Sequence, residues 1–160
     1  MKTLMTAKST APTSTDRIEK HFEVKAKRAR VWRALADAEE FGAWFGMKLD
    51  RPLVPGATVR GQLTIKGYEH VTLEMQIEKV EPEGYFSYRW HPNATDPALD
   101  YKTEPMTLVE FKLRETASGT AVTIIESGFD ALPASRRAEA FRSNDGGWTG
   151  QSKRLAQYVE

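Results

Sequence analysis

The stretch ASRRAEAFRSNDGGWTGQSKRLAQYVE at residues 134–160 decides the fold. Phe141, Trp148 and Leu155 recur in it every seven residues, so they share one face of a predicted helix. A helix of that length spans roughly 40 Å, which is longer than a small domain needs to close its core. An antiparallel sheet that covers such a helix has to curl around it, and this geometry predicts an apolar cavity between the sheet and the helix.

Alternating apolar and polar residues predict the strands of that sheet. The two that lead into the helix are MTLVEFKLR at residues 106–114 and TAVTIIES at residues 120–127. Further strands are predicted at residues 17–24, 57–65, 70–78 and 85–91, with a bulge near residues 78–79. Two short helices follow the first strand, at residues 26–36 and from residue 37 or 38 to about 46, and residues 92–105 form a long loop. This order predicts an α+β domain.

Composition excludes several classes of function. The chain has 160 residues, a net charge of +1 and no cysteine, so it fits one domain, offers no thiol chemistry and has no global field for nucleic acid. No apolar run reaches the roughly 18 residues of a membrane span. Residues 1–15, rich in Ser, Thr and Ala, are predicted to be a flexible tail, and residues 16–160 the domain. Because the start lacks the apolar core of a signal peptide, we expect a cytoplasmic protein.

Three motifs carry a resemblance to a known family. They are RIEKHFEVKAKRARVWRALADAEEFGAWFG at residues 17–46, VEPEGYFSYRWHP at residues 80–92, and VEFKLRETASGTAVTIIESGFD at residues 109–130 followed by GGWTGQSKRLAQYVE. In this order they resemble the START-like (SRPBCC) superfamily, and within it the activator of heat-shock-protein-90 ATPase homologue family. The family's closing helix has the pattern GWxxxLxxL, and Ser152 stands at the position of its first Leu.

The resemblance implies a fold and a cavity rather than a reaction. The fold is the helix-grip, in which a curved antiparallel sheet wraps around a long carboxy-terminal helix. Members of the superfamily bind lipids, sterols, hormones or polyketides, and some are enzymes. The family's name links it to the stress response, but it is weak support for a chaperone contact by this chain, because fold-level analogy does not supply function.

Inward-facing aromatic side chains and one methionine are predicted to line the cavity. They are Trp44, Phe45, Met75, Tyr88, Trp90, Phe111 and Trp148. For each of them the alternative is a place in an ordinary filled core, since aromatic side chains dominate cores by area. Gly146, Gly147 and Gly150 allow two interpretations: they let the helix lie close to the sheet or leave space for a ligand, or a fresh helix starts at residues 144–145.

Glu126 is the ionisable residue that stands out. Strand alternation places it on the face of Val122 and Ile124, near one end of the cavity. A carboxyl group there needs a basic partner, hydrogen-bond donors such as Tyr88 or the Trp148 indole, or a bound proton. It would then be the polar contact of an apolar ligand, or a general acid. The alternative is that the strand ends first and Glu126 reaches solvent or pairs with an arginine such as Arg89.

No other constellation indicates chemistry. The three histidines lack the spacing of a metal site, His91 is expected at an exposed strand end, and no phosphate loop or nucleophile elbow appears, so no metal or cofactor is expected. We therefore predict a domain that binds a small, largely apolar molecule. Two alternatives stay open: an aromatase/cyclase-like or hydrolase-like enzyme that uses Glu126 with Tyr88 or His91, and an interaction module that contacts a chaperone or forms homodimers through exposed strands.

Overall fold

One curved antiparallel sheet forms the framework of the protein. The computed structural model describes residues 15–160, so all but the last residue of the predicted tail lies outside the described residues. The strands are β1 (Arg17–Val24), β2 (Met47–Leu49), β3 (Thr58–Leu63), β4 (Thr72–Glu81), β5 (Tyr85–Trp90), β6 (Thr107–Glu115) and β7 (Thr120–Ser127). The helices are α1 (Arg28–Ala36), α2 (Ala38–Phe45) and α3 (Ala134–Val159), with a 3-10 turn at Phe129–Ala131. The strand order is β1-β7-β6-β5-β4-β3-β2, so the predicted α+β helix-grip fold is confirmed.

Local sequence chemistry sets the corner formed by α2 and β2. The side chain of Asp37 accepts a hydrogen bond from the backbone N–H of Glu40 at 2.9 Å and caps α2. Gly46 ends the helix with a φ of +98°. A Cβ on Gly42 would lie 2.2 Å from the carbonyl oxygen of Met47, so only glycine lets β2 pass this close. The three-residue strand β2 is too short to show a period and was not predicted from the sequence.

The register of the sheet fixes which side chains face inward. The pairing of β4 with β5 shifts between Ile77 and Lys79, which confirms the predicted bulge. Beyond it, Tyr88 pairs with Val109, and Val109 pairs with Glu126. These residues therefore form one row across the inner face of the sheet.

The closing helix α3 runs unbroken for 26 residues. Of the two interpretations of its glycines, a fresh helix at residues 144–145 is therefore wrong. A Cβ on Gly146, Gly147 or Gly150 would meet nothing within 4 Å, so close packing is not the reason for these glycines either. The buried stripe of α3 consists of Ala140, Trp148, Leu155 and Val159.

The hydrophobic core lies between α3, α2 and the inner face of the sheet. Its centre is a group of aromatic rings in contact with one another. The ring of Phe41 lies 4.9 Å from Trp44 and 6.3 Å from both Tyr88 and Phe111, centroid to centroid. Edge-to-face contacts of this kind add to the burial of apolar area. In the described part of the chain, no helix is long and apolar enough to cross a membrane.

Candidate functional site

A cleft of about 380 Å³ opens where α3 meets the end of the sheet and the loop after β5. Its volume falls within the range of small-molecule sites. The lining residues are Phe45, Leu63, Ile65, Tyr68, Leu73, Trp90, His91, Asn93, Ala94, Thr95, Ser143, Asn144, Gly147, Trp148 and Gln151. Apolar and aromatic side chains form one wall, and polar side chains from the loop and from α3 form the other. We call the rings of Phe45, Trp90 and Trp148 the aromatic wall. The cleft can therefore hold a mostly apolar molecule that carries a few hydrogen-bonding groups.

Behind the aromatic wall lies the carboxylate of Glu126, which is 0% exposed. Its Oε1 accepts hydrogen bonds from Trp148 Nε1 at 2.7 Å and from Asn144 Nδ2 at 2.9 Å. Its Oε2 accepts from Trp90 Nε1 at 2.8 Å and from Thr107 Oγ1 at 2.6 Å. We call these four donors the Glu126 shell. Each oxygen receives two donors, which is the arrangement that fits an ionised carboxylate.

Three elements bring the Glu126 shell together. Trp90 and Thr107 are direct cross-strand partners at the paired ends of β5 and β6. Asn144 and Trp148 are four residues apart, so both project from the same face of α3. Glu126 reaches this point because it continues the inward alternation of β7. Of the alternatives for this residue, hydrogen-bond donors are found rather than an arginine, since Arg89 bonds to Glu78 instead.

The indoles of Trp90 and Trp148 both line the cleft and donate to Glu126. Trp90 and Trp148 are 7% and 3% exposed, and their ring centroids lie 6.0 Å apart. Since each indole N–H already donates to Glu126, neither is free to bond a molecule in the cleft. An indole N–H is the only polar group of its side chain, so these rings offer the cleft only apolar and π surface.

Tyr88 lies deep beside this site but does not join the shell. Its side chain is 0% exposed, and its hydroxyl has no hydrogen-bond partner among the described residues. Burial, and then the negative charge of Glu126, raise the pKa of Tyr88 well above its usual value. A neutral buried phenol of this kind does not act as an acid or base for the cleft.

The loop after β5 is fastened to α3 by Arg136. The guanidinium lies 2.8 Å from Glu104, donates to the carbonyl oxygen of Pro92 at 3.1 Å and sits 4.7 Å from the ring centroid of Tyr101. His91 Nε2 lies 3.1 Å from the carbonyl oxygen of Glu104. These contacts hold the loop wall of the cleft in place. They also make His91 half-buried, where the sequence indicated an exposed strand end.

The residues that the sequence singled out divide into three groups. Phe45, Trp90 and Trp148 line the cleft, and Glu126 lies one layer behind it. The remaining four are buried in the aromatic core and are not among the lining residues: Trp44, Met75, Tyr88 and Phe111. The sequence reasoning missed Thr107 and the loop residues 93–95. Asn144 could have been found from its i, i+4 spacing to Trp148, but nothing local in the sequence marks Thr107.

No metal site accompanies the cleft. Within residues 15–160, no group of three or more His, Asp or Glu side chains is arranged to hold an ion. The cleft also brings together no second carboxylate to work with Glu126, as its lining shows. The lining can bind and orient a molecule by shape, apolar contact and hydrogen bonds.

This curved sheet gripping a long carboxy-terminal helix, with a cleft between them, defines a START-like domain. Residues 25–160 match the family described as Activator of Hsp90 ATPase homolog 1-like protein, and the chain belongs to that family. Comparison with curated proteins gives no match.

Solved structures with the same fold include the following three. Protein MLL2253 from Mesorhizobium loti is 23% identical, with a TM-score of 0.71 over 89% of this chain and 96% of its own. DynU16, from the dynemicin biosynthetic locus, is 25% identical, with a TM-score of 0.69 over 90% of this chain and 47% of its own. The Aha1 dimer from Colwellia psychrerythraea is 16% identical, with a TM-score of 0.68 over 90% of this chain and 96% of its own.

Proposed function

We propose that this protein binds a small, largely apolar molecule in the cleft between α3 and the sheet. The carrying observation is the aromatic wall, in which Trp90 and Trp148 turn their only polar atoms away from the cleft and toward Glu126. These two indoles present no free donor to the cleft, so they favour contact with hydrocarbon and aromatic surface, whose burial is favourable at about 25 cal/mol per Å².

The position of Gly147 supports the same proposal. It lines the cleft from α3, and a Cβ there would meet nothing within 4 Å. Glycine inside a helix is about 1 kcal/mol less favourable than alanine. Since no packing contact within the described residues requires glycine at this position, the space beside it is available to a ligand.

Binding fits the geometry better than catalysis by Glu126. Both carboxylate oxygens are occupied by the Glu126 shell, and the side chain has no exposed surface. A general acid or base must come within hydrogen-bond reach of the group that it protonates or deprotonates. Glu126 meets this condition only if the shell comes apart. DynU16 comes from a biosynthetic locus, which adds modest support for a small-molecule ligand.

The test uses a fluorescent apolar probe and two helix variants. N-phenyl-1-naphthylamine is titrated into the wild type, Gly147→Leu and Gly150→Leu. We expect saturable fluorescence enhancement in the wild type and in Gly150→Leu, because Gly150 is exposed and does not line the cleft. In Gly147→Leu the new side chain fills the cleft, and affinity should fall at least about tenfold. Equal affinity in all three proteins would place the probe elsewhere and overturn the proposal.

A homodimer and a cytoplasmic location stay predictions. The Colwellia psychrerythraea protein is described as a dimer, which makes the oligomeric state of this chain worth measuring alongside binding.

A further inference from the structure

The charge of the cleft limits which molecules it can accept. Among its lining residues there is no Asp, Glu, Lys or Arg. The polar wall has the hydroxyl and amide side chains of Asn93, Thr95 and Ser143 and the imidazole of His91 nearest the loop. Hydroxyl and amide groups can bond a neutral group of a ligand, but they cannot neutralise an anion.

A buried carboxylate, that of Glu126, lies directly behind residues that line the cleft. Three residues line the cleft and also donate a hydrogen bond to Glu126, namely Trp90, Trp148 and Asn144. Within the described residues, Glu126 has no ion pair. Indole and amide donors stabilise this charge without cancelling it, so its field extends into the cleft.

The cations around the cleft do not offset this field. Arg136 lies under the loop wall, but its charge is neutralised by Glu104 at 2.8 Å. Lys20 pairs with Asp145 at 2.9 Å. Arg154 reaches the neighbourhood of Gly46 and is exposed, so water and salt screen it.

We infer, on the basis of the proposed function, that the cleft selects an uncharged ligand over an anionic one of the same shape. A carboxylate, sulfonate or phosphate would lose its hydration in a site without a cation and would face the Glu126 charge through one layer of side chains. The ligand class is then a neutral molecule with an apolar body and a hydroxyl or amide group near the loop, and fatty-acid-like anions are excluded.

A matched pair of probes tests this selection. N-phenyl-1-naphthylamine is neutral, and 8-anilino-1-naphthalenesulfonate carries a sulfonate on the same ring skeleton. Titrations are run at about pH 8, above the usual titration range of imidazoles. Each is repeated with Gly147→Leu, so that only the fluorescence lost in that variant counts as cleft binding. We expect the anionic probe to bind the cleft at least about tenfold more weakly, because the Glu126 charge repels its sulfonate and no cation in the lining offsets the lost hydration.

A variant with an added cation tests whether the charge of the cleft, rather than its shape, determines the binding of the anionic probe. Thr95→Lys places a cation at the loop wall and should strengthen binding of the anionic probe severalfold, while binding of the neutral probe stays the same. Gln76→Lys adds the same charge on the exposed outer face of β4 and should change neither affinity. Glu126→Gln removes the negative charge behind the cleft, so the difference in affinity between the two probes should become smaller. Because Thr95→Lys leaves the Glu126 shell intact, the test does not depend on how well the Gln variant folds.

The outcomes distinguish this inference from the proposed function. If the anionic probe binds the cleft as tightly as the neutral one, the inference is overturned and the proposed function stands. The inference is also overturned if Gln76→Lys raises the anion's affinity as much as Thr95→Lys, because local charge would then not be the determinant. If Gly147→Leu changes the binding of neither probe, the proposed function fails and the inference with it.

Discussion

Replacement of Glu126 tests the buried shell that holds the aromatic wall. In Glu126→Gln the amide nitrogen takes the place of one oxygen, and it fits best at Oε2, where the Thr107 hydroxyl can rotate to accept from it. The Trp90 indole N–H is then left without an acceptor in a buried site. A buried donor without an acceptor costs about 1–3 kcal/mol, and the remaining hydrogen bonds no longer go to a charged group. We therefore expect the free energy of unfolding to fall by about 2–4 kcal/mol.

Glu126→Leu should be worse than Glu126→Gln, although leucine is apolar. It leaves both indole donors without partners, so we expect the free energy of unfolding to fall by about 3–6 kcal/mol. The total for a domain is roughly 5–15 kcal/mol. An uncompensated buried carboxylate would give the opposite order, since an apolar replacement would then stabilise the fold. Urea unfolding followed by circular dichroism measures the free energies. The exposed Glu81→Gln on β4 is the control and should stay within about 0.5 kcal/mol of the wild type.

The refuting result is a Leu variant as stable as the wild type or more stable. The four donors would then not depend on the carboxylate, and the shell would not be what holds Trp90 and Trp148 in place.

Three further predictions use the same unfolding assay. Thr107→Val keeps the shape but removes the 2.6 Å donor to Glu126, so it should cost about 1.5–3 kcal/mol; a change below about 0.5 kcal/mol would contradict the shell. Tyr88→Phe removes a buried hydroxyl that has no partner among the described residues, so it should leave stability unchanged or slightly raised, and a loss above about 1 kcal/mol would reveal an unrecognised bond. Gly147→Ala and Gly150→Ala should each raise stability by up to about 1 kcal/mol, because alanine favours the helix and its Cβ meets nothing; a loss at either position would contradict the open space there.

Periodicity made the fold accessible from the sequence. The alternation in residues 120–127 gave β7 its bounds, and the break in alternation after Ile77 gave the bulge. The heptad of Phe141, Trp148 and Leu155 predicted the buried face of α3, although Phe141 is only partly buried and Ala140 takes its place in the buried stripe. Features without a period were harder, which is why the three-residue β2 was missed and the glycines of α3 allowed a helix break that does not exist.

The site was harder to predict from the sequence, because its residues are distant in the chain and come together only in the folded structure. Strand phase placed Glu126 inward, but it could not say what offsets the buried charge. The answer combines Trp90 from β5, Thr107 from β6 and Asn144 from α3, which lie far apart in the chain. Inward phase likewise could not distinguish Trp148, which borders the cleft, from Phe111, which packs in the core.

The most direct measurement of ligand binding in the cleft uses the indole N–H signals of the four tryptophans in a ¹H–¹⁵N NMR titration. Trp90 and Trp148 line the cleft and donate to Glu126, whereas Trp44 donates to the carbonyl oxygen of Ala34 at 2.8 Å and lies outside the cleft lining, as does Trp32. Single Trp→Phe variants assign the signals. On addition of N-phenyl-1-naphthylamine, the Trp90 and Trp148 signals should shift together and saturate, while those of Trp32 and Trp44 stay in place. Saturable binding that leaves the Trp90 and Trp148 signals unmoved would contradict a ligand site in this cleft.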